Sequence, residues 1–381
     1  MGKKRVIHER NLLGPLATSS IRGEGMRIVR ELPATPEKRS SGHQGGQISL
    51  TRSFQREHVL KKTILGLASL ATLLTCPEVV HAEPSDLAPE AGHNYGEHET
   101  PRMTALGGAM RATSNSLSAL YSNPANMAAA QVYHVGALAQ IYPEANRQSY
   151  GGAVVDSLIS STGLAGGLGG VWTLQDPDGM RREWMDLRFG MAMPLGQMFF
   201  LGLTGKYVTV RQTGTGPLGF SEVSGGLVDS NIIQTVTFDV GATIRPVPEF
   251  SIGITGTNLG NTDSAILPVI GGVGMGYGTK DFSLSADAVL ESRTFGQSNI
   301  RVNGGGEVLV ADLVFLRAGY RFDQGLESNA ISGGLGYVNQ KFGIDASVRR
   351  AVTGPSYTAI VFGFTVHIES LGLGPSSPDS Y

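Results

Sequence analysis

From Tyr133 onward the chain alternates apolar and polar positions with a period of two, the mark of strands whose two faces meet different surroundings. In 185–193, Met185, Leu187, Phe189, Met191 and Met193 share one face, against Asp186, Arg188 and Gly190. In 235–245, Val236, Phe238, Val240, Ala242 and Ile244 oppose Thr235, Thr237, Asp239, Gly241, Thr243 and Arg245. The same alternation recurs in 282–291, 313–322 and 342–349. The segments are about ten residues long, which is what a tilted strand needs to cross a bilayer. Short connections such as Thr279-Lys280-Asp281 and Gln340-Lys341 make consecutive strands antiparallel neighbours. Fourteen strands fit: 133–142, 147–159, 162–175, 181–194, 197–212, 231–246, 250–261, 266–279, 281–294, 298–311, 313–323, 328–340, 342–353 and 356–368. Twelve or sixteen remain open on the pattern alone.

A soluble sandwich alternates too. Here the polar face is narrow, with small residues and isolated charges of both signs, as a lumen requires. Lipid cannot satisfy backbone groups, so such a sheet must close on itself. The expected fold is all-β: a membrane-spanning antiparallel up-and-down β-barrel of about 14 strands over 131–369, with a short N-terminal helical plug in its lumen. The longest internal loop, about 213–230, is rich in Gly, Thr and Ser and is expected on the extracellular side. Aromatic residues near strand ends (Tyr142, Trp172, Trp184, Tyr207, Phe250, Tyr337, Tyr357) are expected to form interfacial girdles. Phe364 is the expected assembly signal of the last strand, with 370–381 as a tail.

Composition agrees with the pattern. Charged residues make up 16% of the chain, against roughly 25% in soluble domains. Hydrophobic residues reach only 41%, and no run of about 18 apolar residues occurs, so a helical membrane protein is not expected. Glycine is abundant, at 53 residues, without a collagen period. A formal net charge of −2 gives no field for nucleic acid, and none is expected as a partner.

The first eighty residues read as an address. Residues 59–82 carry Lys61 and Lys62, a short apolar core and Val80-His81-Ala82, which together make a signal peptide cleaved after Ala82. A lipoprotein site at Cys76 is the weaker alternative, because Thr75 precedes the cysteine and Pro77 follows it. Cys76 is the single cysteine, so cysteine chemistry is excluded from the mature chain. Residues 1–58 are basic and unpatterned: a disordered extension, or a mis-assigned start with Val59 as the alternative start. Residues 83–101 are acidic and proline-rich, and are expected to be a flexible periplasmic lead-in. Export to the outer membrane of a Gram-negative-type cell follows from this order of segments.

Residues 102–130 precede the first strand and do not alternate. Ser114 or Asn115 caps a short helix with Leu117, Leu120 and Tyr121, and Pro124 stops it. This segment is expected to fold into the lumen as a plug. Its elements Gly107-Gly108-Ala109, Ser118-Ala119-Leu120-Tyr121 and Asn123-Pro124-Ala125 resemble the opening of the FadL-type outer-membrane transporters, and of related PorV-like adaptor barrels. The resemblance implies a fourteen-strand barrel with a luminal hatch. It also implies passive uptake or export of hydrophobic small molecules such as long-chain fatty acids. The plug residues expected to meet ligand are Leu120, Tyr121, Asn123, Pro124 and Ala125. The resemblance further implies a kinked third strand that opens sideways, for which Gly166, Gly167, Gly169 and Gly170 are the candidates. The alternative is a non-transporting structural or adaptor barrel of an envelope complex, with protein partners. A hydrophilic porin ranks third, because of the plug.

No G-x-S-x-G, P-loop or H-E-x-x-H motif occurs, and neither an enzyme, a cofactor nor a metal site is expected. His134 and His367 fall on the first and last strands, which a closed barrel makes neighbours. The inward charges are Asp186, Arg188, Lys206, Asp239, Arg245, Asp287, Glu291, Arg301, Glu307, Arg317, Arg321, Asp345 and Arg349. The preferred reading is that they pair and hold the plug. A carboxylate ligand would need Arg317 or Arg321 unpaired. Outer-membrane lipids and a hydrophobic ligand are the expected partners.

Overall fold

Fourteen antiparallel strands close in chain order, each paired with the next and the last with the first. They are β1 Tyr133–Tyr142, β2 Arg147–Asp156, β3 Ala165–Gln175, β4 Arg181–Leu195, β5 Phe199–Thr213, β6 Ser230–Val247, β7 Phe250–Thr257, β8 Ile270–Gly278, β9 Phe282–Glu291, β10 Asn299–Val310, β11 Val314–Asp323, β12 Ser328–Val338, β13 Phe342–Thr353 and β14 Thr358–His367. The computed structural model describes residues 94–160, 162–175, 181–213, 230–260, 267–291 and 298–371. The expected segments 1–58 and 59–82, most of the 213–230 loop and nearly all of the 370–381 tail lie outside the described residues.

The alternation read from the sequence is the inside–outside register. Along β4, Arg182, Trp184, Asp186 and Arg188 are buried in the lumen, while Met185, Leu187, Phe189, Met191 and Met193 are exposed. The same parity exposes Leu201, Leu203, Phe238, Val240, Ile254, Met275, Leu284, Leu316 and Phe364. So large an exposed apolar belt on a sheet without free edges has lipid as its solvent. One end has short turns, such as 248–249 and 339–341, and both barrel termini. The other end carries the longer connections.

The girdle is only partly as expected. Trp172 and Tyr337 are exposed, but Tyr142, Trp184 and Tyr357 are buried inside the lumen. Parity decides this for Tyr142 and Trp184, which fall on the inward register of β1 and β4, while Tyr357 lies in the connection before β14.

The lumen is filled by residues 94–131. Within it, helix α1 spans Pro101–Ala105 and helix α2 spans Ser116–Tyr121, and a 3₁₀ turn covers Pro124–Met127. Thr100 caps α1, and Pro101 presets the first helical φ. Gly107 ends this stretch with φ +69°, a conformation that only glycine adopts cheaply. Of the two candidates Asn115 is the cap of α2, through its backbone conformation, while its side chain accepts from Arg102 instead of from the helix. Asn123 then accepts from Ala125 N at 3.1 Å and starts the next turn.

The lead-in 83–101 requires a correction for its described part. Tyr95, His98 and Glu99 are buried inside the barrel, so 94–101 belongs to the plug. Their burial follows from charge: Glu97 and Glu99 meet luminal arginines that would otherwise be unpaired.

Candidate functional site

The plug is held by ion pairs around its circumference. Glu97 pairs with Arg301 on β10 and, at 2.6 Å, with Arg111 of the plug. Glu99 pairs with Arg321 on β11 and, at 2.5 Å, with Arg349 on β13. Arg102 pairs with Glu307 on β10. Arg111 Nη1 lies 3.3 Å from Asp287 on β9, whose carboxylate also accepts from the backbone of Met110 and Arg111. His98 Nε2 lies 3.4 Å from Asp186 on β4. Burial alone would raise the Glu97 carboxyl, but Arg301 and Arg111 outweigh it and hold it at about 2. Glu99 is likewise held well below the usual carboxylate range: burial opposes this, and Arg321 and Arg349 prevail.

Asp186, Arg188, Lys206, Asp239, Arg317 and Asp345 form ion pairs along the wall. Asp186 accepts two bonds from Arg188, at 2.9 and 2.8 Å, and Asp239 lies 2.7 Å from Lys206. Arg317 bridges Glu307 at 3.0 Å and Asp345 at 2.5 Å. Arg245 faces inward, half-buried, and donates to Ala129 O at 3.1 Å. Arg317 and Arg321 are therefore both engaged by carboxylates, and the condition for a carboxylate ligand is not met. Sequence reading missed the plug's own members, Glu97, Glu99, Arg102 and Arg111. It also missed Arg147, Arg182 and Asp323, which the strands bury in the lumen.

The motif residues Asn123, Pro124 and Ala125 seat the plug on the wall. Asn123 donates to Arg111 O at 2.7 Å and to Thr243 Oγ1 at 2.9 Å. Pro124 and Ala125 press on wall glycines: a Cβ on Gly202 would overlap the Ala125 nitrogen, and one on Gly241 would overlap Asn123 Oδ1. Gly253, Gly305 and Gly319 give similar clearance to the backbone of Arg111, Leu106 and Gly107. Leu120 packs with Met103, Leu106, Met110 and Met127 in the plug's apolar core. The Tyr121 hydroxyl donates to Gly152 O at 3.1 Å, and burial pushes its pKa up to about 12.

The strand-three expectation is corrected. β3 pairs in register with β2 from Gly166 to Gln175 and with β4 from Ala165 to Gln175. The register shifts lie elsewhere, between β5 and β6, β6 and β7, and β12 and β13. Two of the four glycines serve packing instead. A Cβ on Gly167 would stand 2.8 Å from Met127 Sδ, and one on Gly169 would stand 2.9 Å from Leu120 Cδ2. Gly166 and Gly170 point outward, and nothing lies within 4 Å of a Cβ at Gly166.

A packed apolar cluster lies on one side of the plug and a cavity on the other. Toward the long-loop end, Trp184, Val208, Val210 and Ile233 form an inward apolar cluster with Leu267. The Arg147 guanidinium lies over Tyr142 and Trp184, 4.9 and 4.8 Å from the ring centres. Toward the short-turn end lies a cavity of about 220 Å³ between α1, α2 and the wall from β10 round to β2. Leu117, Tyr121, Leu138 and Phe315 supply its apolar lining, and Arg102, Glu307, Arg317 and Asp345 its charges. His134 and His367 also line it. They are cross-strand partners, as the closed order requires, with ring centres 4.3 Å apart. Ser116 Oγ is 2.5 Å from His134 Nδ1, and His134 Nε2 is 3.0 Å from Glu369 Oε1. Among the described residues no three His, Cys, Asp or Glu side chains gather to hold a metal.

No protein-family model matches the chain, and no curated protein matches it in sequence. Solved structures do. The CymD monoaromatic hydrocarbon channel is similar with a TM-score of 0.54 and 13% identity, over 70% of this chain and 96% of that one. The Ralstonia pickettii toluene transporter TbuX gives 0.53 and 14%, over 71% and 98%. A Pseudomonas aeruginosa FadL homologue gives 0.52 and 14%, over 70% and 97%. The fold of this chain, a closed fourteen-strand barrel with its N-terminal segment inside, is that of the FadL-type hydrocarbon channels.

Proposed function

We propose that this barrel sits in the outer membrane and passes small hydrophobic molecules across it. The observation that carries the reading is the plug, which noncovalent contacts hold against the wall ahead of β1. It fills the lumen, yet leaves an apolar cluster on the long-loop side and a cavity of about 220 Å³ on the short-turn side. A molecule passing from the apolar cluster to the cavity needs the plug to shift, and ion pairs and packing against the wall allow that. The structural neighbours are named for monoaromatic hydrocarbons and toluene, which suits the cavity. Drug-sized sites occupy roughly 300–1,000 Å³. The cavity therefore favours a single ring or a short chain over the long-chain fatty acids expected from sequence.

The second reading is a non-transporting structural or adaptor barrel. The unbroken pairing along β3 favours it, because the wall there offers no sideways exit.

The test is solvent extraction and mass spectrometry of the purified barrel, alongside toluene uptake into lipopolysaccharide-containing proteoliposomes. A variant lacking 102–130 is run in parallel. Bound hydrophobic molecules, and uptake altered in the variant, support the channel. An empty, impermeable barrel with cross-linked envelope partners supports the adaptor.

A further inference from the structure

The short-turn cavity has a polar side that a hydrocarbon would leave unused. His367 lines it from β14. Its Nδ1 lies 3.3 Å from the Gln340 carbonyl oxygen, which can only accept, so Nδ1 carries the ring proton. Nε2 is then a bare acceptor, and among the described residues it has no hydrogen-bond partner. Thr365 lines the cavity two positions along the same inward face of β14, and its hydroxyl also lacks a partner among the described residues. Leu117, Leu138 and Phe315 supply apolar lining of the same cavity. The charges in the lining are already balanced. Arg102 and Arg317 share Glu307, and Arg317 also holds Asp345. An incoming anion would compete with those carboxylates.

We infer that this cavity binds a small neutral molecule with one ring or short chain and one hydroxyl: an alcohol or phenol rather than a hydrocarbon or a carboxylate. The hydroxyl donates its proton to His367 Nε2, and Thr365 offers a second contact to the head group. The ring lies against Leu117, Leu138 and Phe315. A hydroxyl fits because it donates. An ether or ketone cannot donate to Nε2, and a hydrocarbon can neither donate nor accept. The inference rests on the cavity being the ligand site of the proposed channel.

The experiment is equilibrium binding of benzyl alcohol, toluene and benzoate to the full barrel in lipid nanodiscs, with empty nanodiscs subtracted. Benzyl alcohol is expected to bind about tenfold tighter than toluene, and benzoate weakest, since one net hydrogen bond gives about that factor. His367→Phe should abolish the preference and leave toluene unchanged, while His367→Gln, which keeps an acceptor, should retain part of it. Thr365→Val supplies a second variant should His367→Phe not fold, and it should narrow the preference. Toluene binding as well as benzyl alcohol, benzoate binding best, or a preference that survives both His367→Phe and Thr365→Val overturns the inference and leaves the channel standing. No binding by any of the three would sink both readings.

Discussion

Arg349 Nη1 donates to Glu99 Oε2 at 2.5 Å, tying the middle of β13 to the plug segment just ahead of α1. Arg321 on β11 holds the other carboxylate oxygen. One carboxylate thus pairs with two buried guanidinium groups, one at each oxygen. Glu99→Ala would leave both uncompensated, a change that costs about 3–5 kcal/mol when one partner of a buried pair is removed. The barrel ladder does not depend on this residue. Faster amide exchange over 94–127, with the folded barrel's resistance to detergent unchanged, is the expected result. Unchanged exchange in the plug would show that packing alone holds it.

The same carboxylates set a pH window. Glu97 is held at about 2 in the folded protein, against an ordinary value near 4.5. A depressed carboxylate adds stability that is fully present above the ordinary value and is lost as pH falls through the folded one. Glu99 acts in the same sense. Plug docking should therefore be constant from pH 7 to 5 and weaken between about pH 4 and 2. Limited proteolysis of 94–131 with an acid-active protease, at pH 5 and pH 2.5, checks this. Release of the plug already at pH 5 would contradict it.

Wall glycines make a second, independent test of the plug. At Gly202 a Cβ collides with backbone atoms of Pro124 and Ala125, and at Gly241 with the side chains of Asn123, held by bonds to Arg111 O and Thr243 Oγ1, and Pro124. Gly241→Val should displace the 3₁₀ turn at 124–127 and raise leakage through the barrel. Gly166→Ala, on the outward face with open space around it, should change neither leakage nor barrel stability. Equal leakage from both variants would mean that strand propensity, not clearance, governs these sites.

The glycines also show where sequence reading succeeds and where it stops. Alternation with period two depends on each residue's own polarity, so strand order and facing were legible from residues such as Phe189, Arg188 and Asp239, while the pattern alone left twelve or sixteen strands open beside fourteen. The adjacency of His134 and His367 followed from closure. The role of glycine was not legible, because clearance for a plug and a kinked strand leave the same trace in composition. Gly167 and Gly169 proved to be clearance in an unbroken ladder. Glu97 and Glu99 were missed for a related reason. A short acidic stretch with prolines has no periodicity, and what orders it is cations on strands about two hundred residues away in the chain, such as Arg301 and Arg321.

The short-turn end depends on a relay through His134. This ring joins the plug through Ser116, the C-terminal turn through Glu369, and β14 by stacking on His367. Ser116 sits at φ +51°, an uncommon conformation for a side-chain-bearing residue, and the bond to His134 helps to fix it there. His134→Phe keeps a ring for stacking and removes both hydrogen bonds. The loss should be about 1–3 kcal/mol, since Ser116 and Glu369 keep partial access to solvent near the barrel mouth. Its effect should be local, with faster amide exchange at 116–121 and 368–371 and none at the Glu99 cluster. Because Ser116 and His134 both line the cavity, dissociation of a bound ligand should quicken as well. Faster exchange spread over the whole plug would instead mean that α2 and the Glu99 cluster move as one body.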